Sequence, residues 1–244
     1  MVGVLALMGG CNQNQATGYV PDIVEVVNAA DVAAKKDESI LPMARGNQWV
    51  YDVEISAMVA GSQQQKRAQE LTFRCTNVYS QGDKVHATLE AVTGGLVNER
   101  QQWTLVKDKG LFQNSVGDPP NPFVPPQAAI RFPIKEGMEY RWEGTGFIPQ
   151  GTIGKSKVAT KVEKLQEVDT GAGRMQAYPI TSIINWATGV AVQTSWWAPG
   201  YGIVRYRQEV RAIESIMEKG KVVRKEAVAV SVMRLKSTSL KGSK

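Results

Sequence analysis

Apolar and polar residues alternate with a period of two along most of the chain from residue 40 onward, for example over residues 48–59 and 70–79. This period puts successive side chains on opposite faces of a strand, so each segment predicts a half-buried β-strand. Turn formers such as Gly94-Gly95 and Pro199-Gly200 separate the segments at intervals of about eight to twelve residues. The pattern predicts a mainly β fold, an antiparallel curved sheet or half-barrel of about 11–12 strands.

Two of these segments share a motif at an offset of 91 residues. The matched pairs are Pro42 with Pro133, Gly46 with Gly137, Trp49 with Tyr140, and Tyr51 with Trp142. Each unit combines a proline turn, a glycine at a tight bend and a strand with two aromatic side chains on one face. The motif indicates a duplicated β unit, with chance similarity of two strand starts as the alternative.

A proline-rich segment lies between the two units, with five prolines in residues 117–127. Proline has no N–H for a β-ladder and biases the residue before it towards extended conformations. We therefore expect residues 117–129 to be a linker between a first β half at 40–116 and a second at 130–237. Residues 238–244 are expected to form a disordered tail.

The N-terminus is a short apolar run that ends in Leu7-Met8-Gly9-Gly10-Cys11. Small residues directly before a cysteine resemble the bacterial lipobox, in which the leader is removed and the cysteine receives lipid. The resemblance implies a signal peptide at 1–10, palmitate-type acyl chains on Cys11 and a flexible tether at 11–39. The apolar run is not preceded by Lys or Arg, so we expect translation to start upstream. An unprocessed N-terminus with an incidental cysteine is the alternative.

Charge is unevenly distributed along the chain. The net charge is +6, but residues 205–244 hold eleven Lys/Arg and four Glu, a net of +7, which leaves −1 for residues 1–204. Because these charges are interspersed with apolar residues, they indicate the solvated faces of strands. Attraction to an anionic membrane is the alternative. No nucleic-acid motif accompanies them, so no nucleic-acid partner is expected.

The residues needed for familiar catalytic or metal chemistry are sparse. The chain has one histidine, His86, and no G-x-S-x-G nucleophile motif, so no catalytic residue is predicted. Two cysteines and one histidine are too few for structural zinc, and neither a metal nor a cofactor is expected. Cys75 alternates in phase with Leu71 and Phe73, which predicts a buried, inert thiol. A Cys11–Cys75 disulfide is the alternative.

Six tryptophans are the most distinctive side chains of the sequence. They predict either a packed core or the lining of an apolar groove for a ligand. Trp196 and Trp197 are adjacent and must point to opposite faces of a strand, so one of them is exposed or covered by another element. The residues proposed for a groove are Trp49, Trp142, Trp196, Trp197 and Tyr201.

Three motifs, in order along residues 40–235, resemble those of TapB-like, domain-of-unknown-function bacterial lipoproteins. The matching residues are Pro42, Gly46, Trp49 and Tyr51, then Gly173, Ala177 and Ile180, then Trp197, Ala198, Pro199, Gly200, Gly202 and Val204. The resemblance implies a lipoprotein-carrier-type half-barrel with an apolar concave face. It supplies no catalytic residues.

These observations together predict a membrane-anchored extracytoplasmic lipoprotein of the cell envelope with a non-catalytic binding or assembly role. We expect it at the periplasmic face of the outer membrane or at the cell surface, held by lipidated Cys11, with a lipid or an envelope protein as its partner. Two alternatives remain. One is a carrier of a hydrophobic ligand in the concave groove. The other is a polysaccharide enzyme that uses two of Asp52, Glu54, Glu90 and Glu99.

Overall fold

A computed structural model describes residues 40–218 and 220–240, and these form thirteen antiparallel strands. The strands are β1 (Gln48–Val59), β2 (Gln65–Gln81), β3 (Lys84–Thr93), β4 (Leu96–Val106), β5 (Gly110–Val116), β6 (Asn121–Arg131), β7 (Glu139–Ile148), β8 (Thr152–Val162), β9 (Gln166–Thr170), β10 (Gly173–Trp186), β11 (Gly189–Ala198), β12 (Gly202–Glu218) and β13 (Lys221–Ser239). The prediction of a mainly β, antiparallel fold is confirmed.

The sheet closes on itself, which corrects the predicted half-barrel. Strand order runs β11-β12-β13-β1-β2-β3-β4-β5-β6-β7-β8-β10, and β10 also pairs with β11. Closure depends on β10, whose residues 180–186 pair with β8 on one edge and with β11 on the other. The short strand β9 pairs with the beginning of β10 outside this ring of twelve strands. Full closure removes the exposed edges that an open half-barrel would have.

The two sequence units have the same backbone geometry. Gly46 N–H donates to the Cys75 carbonyl at 2.8 Å, and Gly137 N–H donates to the Val162 carbonyl at 2.9 Å. Both glycines have positive φ, 90° and 76°, a region that residues with a Cβ rarely adopt. A further turn repeats at the same offset, where Gly82 lies before β3 and Gly173 is the first residue of β10, with φ of 60° and 112°. The repeat is therefore one of structure as well as of sequence.

Residues 117–129 do not form the predicted linker. Strand β6 occupies Asn121–Arg131 and pairs with β5, so this segment is the sixth strand of the first unit. Its other edge meets β7 at one ladder pair, Val124 with Thr145. Proline is tolerated in a strand where ladder bonds are few, because its missing N–H is then not required. Residues 238 and 239 of the predicted tail belong to β13, and residues 241–244 lie outside the described part of the chain.

Two apolar clusters fill the barrel along its axis. The first core cluster includes Trp49, Tyr206 and Met233, and the second includes Trp142 and Ile184. Residues 40–43 precede β1, and three of them are buried in the first core cluster: Ile40, Leu41 and Met43. This segment packs over the end of the barrel where β12 begins, since a Cβ at Gly202 would lie 3.0 Å from Leu41 Cδ1.

Candidate functional site: a polar band and cavity inside the barrel

A row of polar side chains crosses the barrel interior between the two core clusters. Its members are cross-strand neighbours on six successive strands and are called the polar band: Tyr140, Thr160, Ser182, Gln193, Gln208 and Ser231. On β10 and β12, Ile180 and Tyr206 each lie two residues before the band, and both belong to the first core cluster. Ile184 and Val210 each lie two residues after the band, and both belong to the second core cluster. The band thus divides the apolar interior into two parts.

Hydrogen bonds within the band satisfy many of its polar groups. The hydroxyls of Thr160 and Ser182 are 2.9 Å apart. Gln193 Oε1 accepts from Tyr206 OH at 3.3 Å and from Gln208 Nε2 at 3.4 Å. Gln208 is fully buried, and its Oε1 has no hydrogen-bond partner within the protein. A buried acceptor of this kind is costly unless a bound molecule donates to it.

A small cavity adjoins the band, with a volume of about 30 Å³. Its polar lining consists of the side chains of Gln113, Gln127, Ser182, Gln193 and Ser195. The indoles of Trp103 and Trp197 also line it, with their ring centres 6.5 Å apart in an edge-to-face arrangement. A volume of roughly 10–15 Å³ per molecule is sufficient for water in a polar site. The cavity therefore suits one or two water molecules and is far below the roughly 300 Å³ of common ligand pockets.

Glu99 is a buried carboxyl group inside the same barrel. Its Oε1 accepts from Gln101 Nε2 at 2.6 Å, and Gln101 Oε1 accepts from Trp103 Nε1 at 3.1 Å. Burial raises the pKa of Glu99, and the hydrogen bond from Gln101 partly opposes that rise. Burial also raises the pKa of Tyr206, and the charge of Glu99 adds to the effect. A chain of hydrogen bonds thus links the carboxyl to one of the cavity indoles.

The five residues predicted to line a groove are not brought together. Trp49 and Trp197 are buried in the first core cluster and Trp142 in the second. Trp49 Nε1 donates to the Tyr201 carbonyl at 2.5 Å, at the end of the barrel that residues 40–43 cover. The Tyr201 side chain is itself exposed. Three of the five are core residues, whereas Trp196 is half-buried and Tyr201 is exposed.

Trp196 and Trp197 point to opposite faces, as their adjacency predicts. Trp197 lies inside the barrel, where its Nε1 donates to Ser195 Oγ at 2.8 Å. Trp196 lies outside, half-buried under the Arg205 guanidinium, which is 4.9 Å from the ring centre. Trp196 is therefore the member of the pair covered by another element.

His86 and Cys75 occupy structural positions. His86 is half-buried on the outer face, stacked on Tyr79 with ring centres 4.8 Å apart, and its Nδ1 lies 2.9 Å from Thr104 Oγ1. Burial and then the neighbouring Lys84 lower its pKa. Cys75 is a free, buried thiol, and burial raises its pKa to about 12. Its thiolate is thus scarce at neutral pH.

The four candidate carboxylates do not share one face of the barrel wall. Asp52, Glu54 and Glu90 point outward and contact Lys236, Arg234 and Arg100 respectively. Glu99 lies on the inner side of the wall. Paired acid–base chemistry needs two carboxyl groups within roughly 5–10 Å on one site. Across residues 40–218 and 220–240, no group of three or more His, Cys, Asp or Glu has the arrangement of a metal site.

The outer surface of the barrel has two further features, a groove and an extended hairpin. A groove of about 530 Å³ crosses β7, β8 and β10, lined by Thr145, Lys155 and Asn185 among others. The hairpin of β12 and β13 extends past its neighbours, because pairing with β11 stops at Ala212. This arm exposes Met217, with 71% of its surface accessible. Within the described part of the chain, no helix is both long enough and apolar enough to span a membrane.

Sequence reasoning missed the polar band and the cavity. The glutamines and serines of the band stand at inward positions of alternating strands, so they replace apolar residues expected there. That break in the alternation was a usable signal. The cross-strand register, which aligns the breaks into one row, was not available from the sequence.

Comparison with known proteins gives no match to a protein-family model or to a curated protein. Among solved structures, a protein of Parabacteroides distasonis assigned as a lipoprotein is 12% identical, with a TM-score of 0.45, over 82% of this chain and 98% of its own. An exported protein of Bacteroides fragilis with a YmcC-like fold is 15% identical, with a TM-score of 0.44 and the same coverage. The hypothetical lipoprotein YmcC of Escherichia coli is 8% identical, with a TM-score of 0.30, over 86% and 94%. The resemblance to TapB-like lipoproteins stays a prediction.

Proposed function

We propose that this chain is a lipid-anchored protein of the bacterial cell envelope with a non-catalytic binding or assembly role. The observation that carries the proposal is the order Leu7-Met8-Gly9-Gly10-Cys11. Cys11 and the tether lie outside the described residues, so the anchor rests on sequence chemistry. Two or three acyl chains satisfy the two-signal condition for stable membrane attachment.

The environment of Cys75, the cysteine of the described fold, supports this assignment. The chain has two cysteines, and Cys75 is buried with a raised pKa, which makes it a poor nucleophile for modification. Cys11 is therefore the residue to which lipid chemistry is assigned. The proposed cellular location of the protein is the periplasmic face of the outer membrane or the cell surface.

The interior of the barrel favours a role for the outer surface over transport of a lipid. Large side chains of both core clusters fill the interior, among them the fully buried Trp49, Tyr206 and Met233. The cavity at the polar band, about 30 Å³, is too small for an acyl chain. The described interior therefore gives the carrier alternative no support. The described carboxylates likewise give the polysaccharide-enzyme alternative no support, because Asp52, Glu54 and Glu90 are each in an ion pair on the outer face and Glu99 lies inside the wall.

Metabolic labelling with an alkyne fatty acid tests the anchor. The protein is expressed behind a complete signal peptide that retains Leu7–Cys11, as the original chain and as the variants Cys11→Ala and Cys75→Ala. We expect label on the original chain and on Cys75→Ala, and none on Cys11→Ala. Label that persists in Cys11→Ala would show that Cys11 is not the lipid site.

A further inference from the structure

The seam between β6 and β7 is held differently from every other seam of the barrel. These strands share one ladder pair, Val124 with Thr145. The other closed seams have six or more pairs each, as between β4 and β5 or between β5 and β6. Three prolines within β6 at positions 122, 125 and 126 account for the difference, because they supply no N–H to a ladder.

Two aromatic side chains bridge the gap where the ladder is missing. Tyr140 OH donates to the Ala129 carbonyl at 2.7 Å, and Trp142 Nε1 donates to the Pro125 carbonyl at 2.9 Å. The Arg131 guanidinium lies 5.8 Å from the centre of the Tyr140 ring. Side chains that rotate about single bonds thus replace part of a backbone ladder at this position.

The polar cavity lies directly behind this gap. Gln127, Ala128 and Ala129 of β6 line the cavity, and Ala129 is also the acceptor for Tyr140. The remaining lining includes Trp103 and Trp197, whose indoles face the same space. The weakest seam of the barrel therefore separates solvent from its polar interior.

We propose that the gap between β6 and β7 is a port that opens locally, with Tyr140 and Trp142 as its gate. The port admits water to the cavity, where amides and hydroxyls receive it. Opening it disrupts one ladder pair, two side-chain hydrogen bonds and the Phe123–Trp142 ring contact, and so breaks fewer backbone pairs than opening any other seam. The port depends on the barrel and not on the lipid anchor.

Exchange of the indole protons of Trp103 and Trp197, followed by NMR in the Cys11→Ala chain, tests the port. A disulfide staple across the seam, Val124→Cys with Thr145→Cys, should slow this exchange by about tenfold, because it suppresses local opening. The matched control staple, Thr181→Cys with Thr194→Cys, joins a ladder pair of β10 and β11. It should change the exchange by less than about twofold. Equal slowing by both staples, or no slowing by either, would overturn the proposal.

A second pair of variants tests the gate itself. Tyr140→Phe removes the hydrogen bond to Ala129 and should speed exchange of the cavity indoles by about fivefold, the effect of one net hydrogen bond. Tyr51→Phe is the control, because its hydroxyl donates to the Ile203 carbonyl at 2.6 Å and so joins β1 to β12, two strands that take no part in the seam. Tyr51→Phe should leave the exchange unchanged. If it speeds exchange as much as Tyr140→Phe, the protons exchange through global unfolding.

Discussion

Met217 and Met233 belong to the same hairpin but have opposite environments. Met233 is fully buried in the first core cluster, whereas 71% of Met217 is accessible. Met233→Ala should lower the free energy of unfolding by about 2–5 kcal/mol, through lost burial and the resulting cavity. Met217→Ala should change it by less than about 0.5 kcal/mol. Chemical denaturation of the two variants checks this, and equal losses would show that the arm is packed.

Glu99 gives the stability of the barrel a defined dependence on pH. Because its pKa is higher in the folded than in the unfolded chain, the folded state binds the proton more tightly. Below the pKa that Glu99 has in the unfolded chain, the carboxyl is protonated in both states and does not destabilise the fold. As the pH rises through the pKa that Glu99 has in the folded state, the carboxyl destabilises the fold increasingly. Glu99→Gln keeps an acceptor for Gln101 and removes the charge. The variant should have a higher Tm than the original chain at pH 7 and the same Tm at pH 4. A lower Tm at pH 7 would contradict this account of Glu99.

At the scale of the element, the repeated turn before β1 and β7 depends on glycine. Gly137 has φ of 76°, and no atom lies within 4 Å of a Cβ added there, so the cost of substitution is conformational. Gly137→Ala should destabilise the protein by about 1 kcal/mol, whereas Gly137→Asn should cost less because asparagine tolerates this region. Thermal unfolding checks the order. An alanine variant as stable as the asparagine variant would show that positive φ is not required at this turn.

The alternating pattern predicts the individual strands but does not predict that they close into a barrel. Strands β1 and β2 were predicted within about five residues at each end, because one buried face imposes a period of two. Strand β6 was missed, because its prolines have the signature of a linker and only an almost unpaired edge accommodates them. Likewise, nothing local shows that β10 bonds on both edges, since closure depends on pairings distant in sequence.

The candidate site was less predictable than the fold. Aromatic residues were expected to mark a groove, but Trp49, Trp142 and Trp197 fill the core. The polar band was overlooked because each of its members, read singly, is an ordinary polar residue in a strand. Its significance lies in the register that aligns Ser182, Gln193 and Gln208 across neighbouring strands. Register is a tertiary property and has no signature in a single segment.

The whole molecule combines a filled barrel with a proposed lipid anchor at its N-terminal side. Residues 40–43 pack at the end of the barrel where β12 begins, so the tether joins the fold at that end. Residues 12–39 comprise 28 residues, which at about 3.3–3.6 Å each allow a reach of up to roughly 100 Å. In the proposed lipoprotein, this reach is the upper limit of the distance between the membrane surface and the barrel.

Mass spectrometry of the N-terminal peptide from membrane-purified protein tests the central claim most directly. The account predicts a chain that begins at Cys11, with a mass increment equal to a diacylglyceryl group and one amide-linked acyl chain. An unmodified Cys11, or a peptide in which Gly10 still precedes Cys11, would contradict it.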